Sequence, residues 1–373
     1  MKNKPRIGVN LLHLIPREVG GSEEYSVQTL TAVANHRPLD LEPILFVLED
    51  FQKEHPELCS IFETVTCKVK ARKRFKRILA ESTWLKLKTR DCDALHHFGG
   101  RLPLLTKRPN AVTIHDLQPL ERPKNFSFIK RTFFRYVLPA TVRRSEMIVA
   151  VSSSVKEKLV EIFHLNPESI QVVSTGVKHV VEKPNLPKDP LKIFYPAITH
   201  PHKNHQVLIE AFNQIAKKNQ EVHLVMSGAP GRSEKEVKNY ALSSPYKDRI
   251  LFTGRVSTQE LENILISSLF LAFPSTYEGF GIPVLEAMAS GVPVVVAKGT
   301  PVEKLVGEKS IKVDPYDVAA WANAFEMMIF DHQLRNEIAL ENINLAKGYT
   351  WDASAIQLID AWKKLVMLAE EKN

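Results

Sequence analysis

The sequence predicts an α/β protein of two domains, each a parallel sheet with helices on both faces. Three observations carry this. At 373 residues the chain is too long for one compact core of the usual ~100–200 residues. Short, continuously apolar runs alternate with helical patterns along most of its length, which is how strands buried on both faces read. A stretch with three prolines and no periodicity, residues 180–191 (VVEKPNLPKDPL), divides that alternation in two and reads as a linker.

Taken in order, strands are expected in the first half at residues 7–11, 43–48, 64–69, 94–98, 111–115, 147–151 and 170–173. Helices fall between most of them, including 22–34, where Ser22 reads as the cap, and 128–144. The second half repeats the scheme with strands at 192–195, 222–227, 250–253, 269–273 and 292–297, and helices at 204–217, 233–241, 258–266 and 282–289. After residue 315 the pattern is helical to the end, with a break at Tyr349-Thr350-Trp351-Asp352 and an amphipathic last helix. The expected domains are residues 1–183 and 191–350, with a helix at 351–373 packing back on the first domain.

Composition excludes several classes. Hydrophobic residues make up 44% and charged residues 25%, the balance of an ordinary globular protein. Cys59, Cys67 and Cys92 are an odd number without metal-ligand spacing, which argues against a disulfide framework and fits a reducing compartment. The N-terminal apolar run carries Asn10 and His13 and reads as a first strand rather than a signal peptide. With no membrane-spanning stretch, a cytoplasmic protein is expected, peripheral to the inner face of a membrane.

Charge is unevenly spread. Residues 1–186 carry 30 Lys and Arg against 20 Asp and Glu, while the remainder carries 20 against 22. The excess lies in residues 68–90 and in 122–144, the latter with seven basic residues and no acid. Such patches attract phosphates or anionic lipid headgroups, or are simply solvated helix faces. They lack a nucleic-acid-binding motif, so nucleic acid is not an expected partner.

In an open parallel sheet, ligands bind beyond the carboxyl ends of the strands. The strongest signal there is residues 273–297, FPSTYEGFGIPVLEAMASGVPVVVA. An apolar strand runs into a loop with Glu278, Gly279 and Gly281, and a helix opens near Ile282. Unpaired N–H groups at such a turn suit an anionic diphosphate, and carboxylates suit sugar or ribose diols. The structural alternative is a helix entry with acids placed against the dipole.

Residues 194–212, FYPAITHPHKNHQVLIEAF, set Lys203 at a second strand-to-helix turn, where it can pair a phosphate, with Asn204 as the expected N-cap. In residues 111–120, AVTIHDLQPL, His115 and Asp116 follow a third strand. Gly20 and Gly21 precede a helix, Gly99, Gly100 and Arg101 follow a strand, and Gly254, Arg255 and Val256 follow another. Asp91-Cys92-Asp93 matches a short D-x-D metal pattern but precedes its strand, the wrong edge for this kind of sheet, so no metal is expected.

The 273–297 segment resembles the signature of the retaining GT-B glycosyltransferases, most of all their large family four, in which two glutamates separated by seven residues bracket a G-F-G-like turn. The likeness extends over nearly the whole chain and implies two Rossmann-like domains with parallel sheets facing across a cleft. It implies Glu278 near the donor sugar and Glu286 on the ribose hydroxyls. It further implies the backbone of Gly279, Phe280 and Gly281 near the sugar, and that of Ile282, Pro283 and Val284 near the sugar or phosphates.

By the same resemblance Lys203 grips the diphosphate, His115 faces the transferred sugar, the loop at Gly20 and Gly21 closes on the diphosphate, and Gly254, Arg255 and Val256 lie against the base. The family often carries an Arg several residues before the Lys. Here Ala197 to His202 intervene without one, leaving His200 or His202 to assist, although neutral imidazole is a weaker phosphate partner.

The implied reaction is hexose transfer from a nucleoside-diphosphate sugar to a glycan or lipid-linked hydroxyl. No separate cofactor is expected. His115, Glu278 and Lys203 are the catalytic candidates. No second carboxylate stands out as a nucleophile, which favours front-side attack with retention. The TIHDL and HKNH segments resemble bacterial polysaccharide mannosyltransferases, hence a preference for GDP-mannose. The alternatives are a non-catalytic sugar-nucleotide binder, or another GT-B enzyme such as a phosphorylase or epimerase. A nicotinamide dehydrogenase would need G-x-G-x-x-G after the first strand, which is missing.

Overall fold

The structure, a computed structural model, describes residues 4–16, 21–36, 40–70, 72–106, 109–185 and 191–370. It divides into two units, Met1–Gly176 with Trp351–Asn373, and Val177–Thr350.

The first unit holds seven strands: β1 (Arg6–Asn10), β2 (Glu42–Leu48), β3 (Glu63–Cys67), β4 (Ala94–His97), β5 (Asn110–Ile114), β6 (Met147–Ala150) and β7 (Ile170–Val172). They form one parallel sheet in the order β3-β2-β1-β4-β5-β6-β7. Each strand overlaps a segment read as a strand from the sequence. The physical reason is visible in β5 and β6, in which every residue is buried, as a sheet covered on both faces requires.

The second unit holds β8 (Lys192–Pro196), β9 (His223–Ser227), β10 (Ile250–Gly254), β11 (Phe270–Phe273), β12 (Val294–Ala297) and β13 (Ile311–Val313). These too are all parallel, in the order β10-β9-β8-β11-β12-β13. The fold is thus two Rossmann-like parallel sheets, as expected. β13 is an addition: its Ile-Lys-Val run is too short and too polar to announce a strand.

The join between the units differs from a free linker. Residues 177–185 are stitched to the second unit, where Val177 donates to the Tyr349 carbonyl at 3.0 Å, Val181 to Ala289 at 2.8 Å and Asn185 to Gly291 at 2.9 Å. The last helix, Trp351–Glu370, belongs to the first unit and packs along the helix Gly21–Asn35. The fully buried Trp362 indole N–H donates to His96 Nδ1 at 3.0 Å, so the proton of neutral His96 sits on Nε2 and reaches Thr113 Oγ1 at 2.8 Å.

Both sheets reverse direction of strand order at one place, between β1 and β4 and between β8 and β11. The crevice beyond the carboxyl ends at such a point is where ligands of open α/β sheets bind. No helix among the described residues is long and apolar enough to cross a membrane.

Candidate functional site

At the reversal point of the second sheet, Lys203 follows β8 and Glu278 follows β11. Their side chains meet, with Lys203 Nζ 2.6 Å from Glu278 Oε1 and exposures of only 18% and 12%. The ammonium also lies 5.6 Å from the centre of the Phe273 ring. Several bonds hold it there. The Tyr195 hydroxyl donates to the Lys203 carbonyl at 2.6 Å. The His202 carbonyl receives the Thr276 amide at 2.8 Å and the Thr276 hydroxyl at 3.1 Å, which staples the loop after β8 to the loop after β11.

Asn204 precedes the helix His205–Ala216 but does not cap it with its side chain. Its backbone is left-handed, with φ 56°, and its amide instead donates to the Pro315 carbonyl at 2.5 Å and to the Pro274 carbonyl at 3.3 Å. The expected cap is therefore a third staple across the same turn. An αL residue at that position turns the side chain away from the helix amides and toward β11 and the loop after β13.

After Glu278 the chain runs through Gly279, Phe280 and Gly281 into the helix Ile282–Ala289. Phe280 is buried and packs edge-on against Tyr349 at 5.8 Å, so its backbone rather than its ring is available to a ligand. Gly281 is required twice over. Its φ is 108°, and a Cβ there would lie 2.2 Å from Val302 Cγ1. Pro283 has no N–H, and the Val284 amide closes on the Gly281 carbonyl at 3.0 Å, which leaves Ile282 as the helix-start amide for an anion. Glu286 stands half-buried on the second turn of this helix.

A small cavity at the carboxyl ends of β8, β9 and β10 is lined by Thr199, Ser227, Gly228, Glu234, Phe252 and Gly254, among others. Gly254 thus joins a pocket, whereas Arg255 is exposed and neither it nor Val256 is among the residues lining it. Thr199 and Glu234 were missed by sequence reasoning. The Thr199 hydroxyl donates to Glu234 Oε2 at 2.5 Å and accepts the Gly231 amide at 2.7 Å. Burial alone would raise the Glu234 carboxyl, but bonds from Lys238 and Thr199 hold it below its ordinary value. The only advance signal was position: Thr199 lies just past β8, and Glu234 opens the helix Glu234–Leu242.

His200 and His202 stack with ring centres 5.8 Å apart. Burial, with Lys203 beside it, pushes the His202 imidazolium down to about 3. His202 is therefore neutral near pH 7 and brings no charge in place of an Arg. His200 Nδ1 accepts the Arg232 amide at 3.4 Å.

In the first unit, His115 lies at the carboxyl end of β5. Its Nε2–H donates to the Phe98 carbonyl at 3.0 Å, which ties it to the end of β4, and the ring meets Tyr25 edge-on at 5.4 Å. Burial pushes its pKa down to about 4. The side chain is therefore neutral near pH 7, with Nδ1 as a lone-pair acceptor able to take a hydroxyl hydrogen.

Asp116 is exposed, and its Oδ1 accepts the Gln118 amide at 3.0 Å, an ordering contact for the loop. Arg101 is committed to the buried Glu81 carboxylate by a short ion pair. Gly99 makes room for His13, whose Cβ would stand 2.8 Å from a Cβ at that position, and Gly100 has φ 70°. Gly21 begins the helix Gly21–Asn35, so Ser22 lies inside it instead of capping it. Gly20 lies outside the described residues.

Asp93 accepts the Arg6 amide at 2.7 Å at the amino edge of the sheet. Among the described residues no cluster of His, Cys, Asp and Glu has the arrangement of a metal site.

Comparison with known proteins follows the same division. Residues 19–180 match the family described as Glycosyltransferase Family 4, and residues 178–343 match Glycosyl transferases group 1. The O-antigen chain mannosyltransferase RfbU of Salmonella typhimurium is 26% identical over 366 residues, covering 94% of this chain and 96% of that protein. Among solved structures, the HepE protein of Anabaena in complex with UDP and glucose superposes with a TM-score of 0.75 at 17% identity, covering 96% of this chain and all of that one. Sucrose-phosphate synthase of Thermosynechococcus elongatus gives a TM-score of 0.79 at 18% identity, covering 98% of this chain and all of that one.

Proposed function

We propose, for a chain that belongs to the group 1 glycosyltransferases of GT-B fold, that its second unit binds a nucleoside-diphosphate hexose. GDP-mannose is the preferred donor, and the hexose goes to a hydroxyl on a glycan or lipid-linked acceptor. The observation that carries this is the Lys203–Glu278 pair at the reversal point of the second sheet. It puts one fixed cation and one carboxylate side by side where an open α/β sheet takes its ligand.

The chemistry follows from those groups. Departure of the nucleoside diphosphate builds negative charge on the leaving oxygen. A cation and a helix-start amide already in position stabilise that charge without reorganising, the largest usual contribution to such catalysis. Lys203 and the Ile282 amide take that role. Once Lys203 turns to phosphate, Glu278 is released to accept hydrogens from sugar hydroxyls, and Glu286 accepts those of the ribose. His115, neutral and with Nδ1 free to accept, contacts hydroxyls of the transferred sugar.

The glycosidic C–O bond to phosphate breaks, a bond to the acceptor oxygen forms on the same face, and the departing phosphate takes the acceptor proton. The configuration is retained, and Lys203 with the helix amide replaces a metal. The mannosyl preference is supported by the full-length likeness to the Salmonella O-antigen mannosyltransferase.

Thermal-shift measurements against a panel of nucleotide sugars test the donor. GDP-mannose is expected to raise the melting midpoint most, and a panel without any shift would contradict the reading. A trapped covalent glycosyl–enzyme adduct would contradict the front-side route.

A further inference from the structure

The first sheet reverses its strand order between β1 and β4, yet the proposed transfer uses only His115 from this unit. The loop after β1 carries a second imidazole. His13 sits in the run Leu11-Leu12-His13-Leu14, whose three leucines are fully buried. The backbone on either side of it is fastened. Asn10 Oδ1 accepts the Leu12 amide at 3.1 Å, the Leu11 carbonyl accepts the Leu14 amide at 3.0 Å, and the His13 carbonyl accepts from Arg77 Nη1 at 3.4 Å. Asn10 is itself locked. Its amide donates to His97 Nδ1 at 3.0 Å, which leaves the proton of neutral His97 on Nε2, 3.1 Å from Thr106 Oγ1.

The His13 side chain is the exception. Both its ring nitrogens are closed off from solvent, and among the described residues neither has a hydrogen-bond partner. Buried polar atoms of native proteins are nearly always bonded. A ring whose backbone is fixed, whose nitrogens are unbonded, and which stands where an open sheet takes its ligand is placed to bond one. The ring packs on Gly99, where a Cβ would stand 2.8 Å from His13 Cβ and Cγ, so any side chain there would displace it. Gly99 follows Phe98, whose carbonyl holds His115. Because β1, β4 and β5 are neighbours in that order, His13, Gly99 and His115 follow one another along the carboxyl edge of the sheet.

Charge decides the class of ligand. Burial, with His115, Arg101 and Arg77 nearby, pushes the His13 imidazolium well below its ordinary value. Near pH 7 the ring is therefore neutral, with one N–H and one lone pair. Arg101 is committed to Glu81. A phosphate or carboxylate gains little from a neutral ring, whereas a sugar hydroxyl both donates and accepts and so suits either nitrogen.

We propose that the crevice at the reversal of the first sheet takes the acceptor as an uncharged saccharide, with one of its hydroxyls bonded to the His13 ring. Calling that saccharide the acceptor rests on the transferase reading; its binding at His13 does not.

Saturation-transfer NMR on the full chain with methyl α-mannoside, methyl α-galactoside and methyl α-glucoside, each with and without saturating GDP, tests the site. At least one glycoside is expected to bind under both conditions. His13→Phe keeps a ring but removes both nitrogens, and it should weaken that binding about tenfold, the loss of one buried hydrogen bond. His13→Gln restores a donor and an acceptor and should stay within about threefold of wild type. Calorimetric titration with GDP should be equal in all three chains, showing that the fold and the donor site are intact. In the wild type, the ring nitrogen resonances of His13, assigned by their loss in His13→Gln, should move when the glycoside is added. Absence of binding by every glycoside would overturn the proposal. So would a Phe variant that binds as well as wild type, or His13 resonances that stay in place with glycoside bound. A chain that binds glycoside at His13 but takes no GDP would support this site and contradict the donor reading alone.

Discussion

Lys203 and Glu278 are 75 residues apart in the chain and 2.6 Å apart in space, each at the end of a strand flanking the reversal of the second sheet. The pair is mostly shielded from water, so each charge is neutralised by the other until a ligand competes. On the proposed reading a diphosphate is such a competitor: it would take Lys203 and free Glu278 for the sugar in one exchange.

Glu278 is accordingly expected to act on turnover more than on affinity. Glu278→Ala should lower kcat about 100-fold or more, the scale on which one preorganised polar contact to a transition state acts, with a smaller change in donor KM. Steady-state kinetics that left kcat near wild type would remove Glu278 from the reacting centre.

Glu286 should show the opposite split. A ribose contact is made equally in the ground and transition states, so Glu286→Ala should raise donor KM about tenfold or more, the loss of a charge-assisted hydrogen bond, with kcat little changed. Isothermal titration with the nucleoside diphosphate alone should report the same loss.

Gly281 carries a stability prediction. At φ 108°, with Val302 Cγ1 2.2 Å from where a Cβ would stand, Gly281→Ala combines backbone strain with overpacking. The expected cost is about 2–4 kcal/mol in urea unfolding. The helix Ile282–Ala289 should shift as well, so donor binding should fall together with stability.

Acid should destabilise the protein in a defined window. Burial holds His96 and His97 at about 3, and His115 and His205 at about 4, against about 6.5 in an unfolded chain. Between these values the unfolded chain takes up protons that the folded one refuses, so stability is full above about pH 6.5 and declines as pH falls toward 4. Melting midpoints measured across that range should fall with pH, and His96→Gln, which cannot titrate, should flatten part of the dependence.

Much of this is legible in the sequence. Strands such as β6 and β11 are short, wholly apolar runs because both their faces are covered, and that pattern is local in sequence. Lys203, Glu278 and Gly281 could be singled out because each sits where a strand ends and a helix begins. What stayed hidden depends on partners far along the chain. Arg101 reads only as a residue past the end of a strand until Glu81, twenty residues earlier, is found beside it. Thr199 reads as loop until Glu234, 35 residues on, takes its hydroxyl hydrogen. Asn204 has the residue type of a cap, and only its positive φ diverts its amide to Pro274 and Pro315. β13 was missed because three residues with a central Lys make no run; its backbone pairing with β12 makes it a strand.

The most direct test is calorimetric titration of GDP-mannose into the wild-type chain and into Lys203→Ala. A single saturable site in the wild type, weakened at least tenfold in the variant while its circular dichroism is unchanged, is the predicted result. Equal binding by both proteins would contradict it, because the diphosphate would then be held somewhere other than beside Lys203.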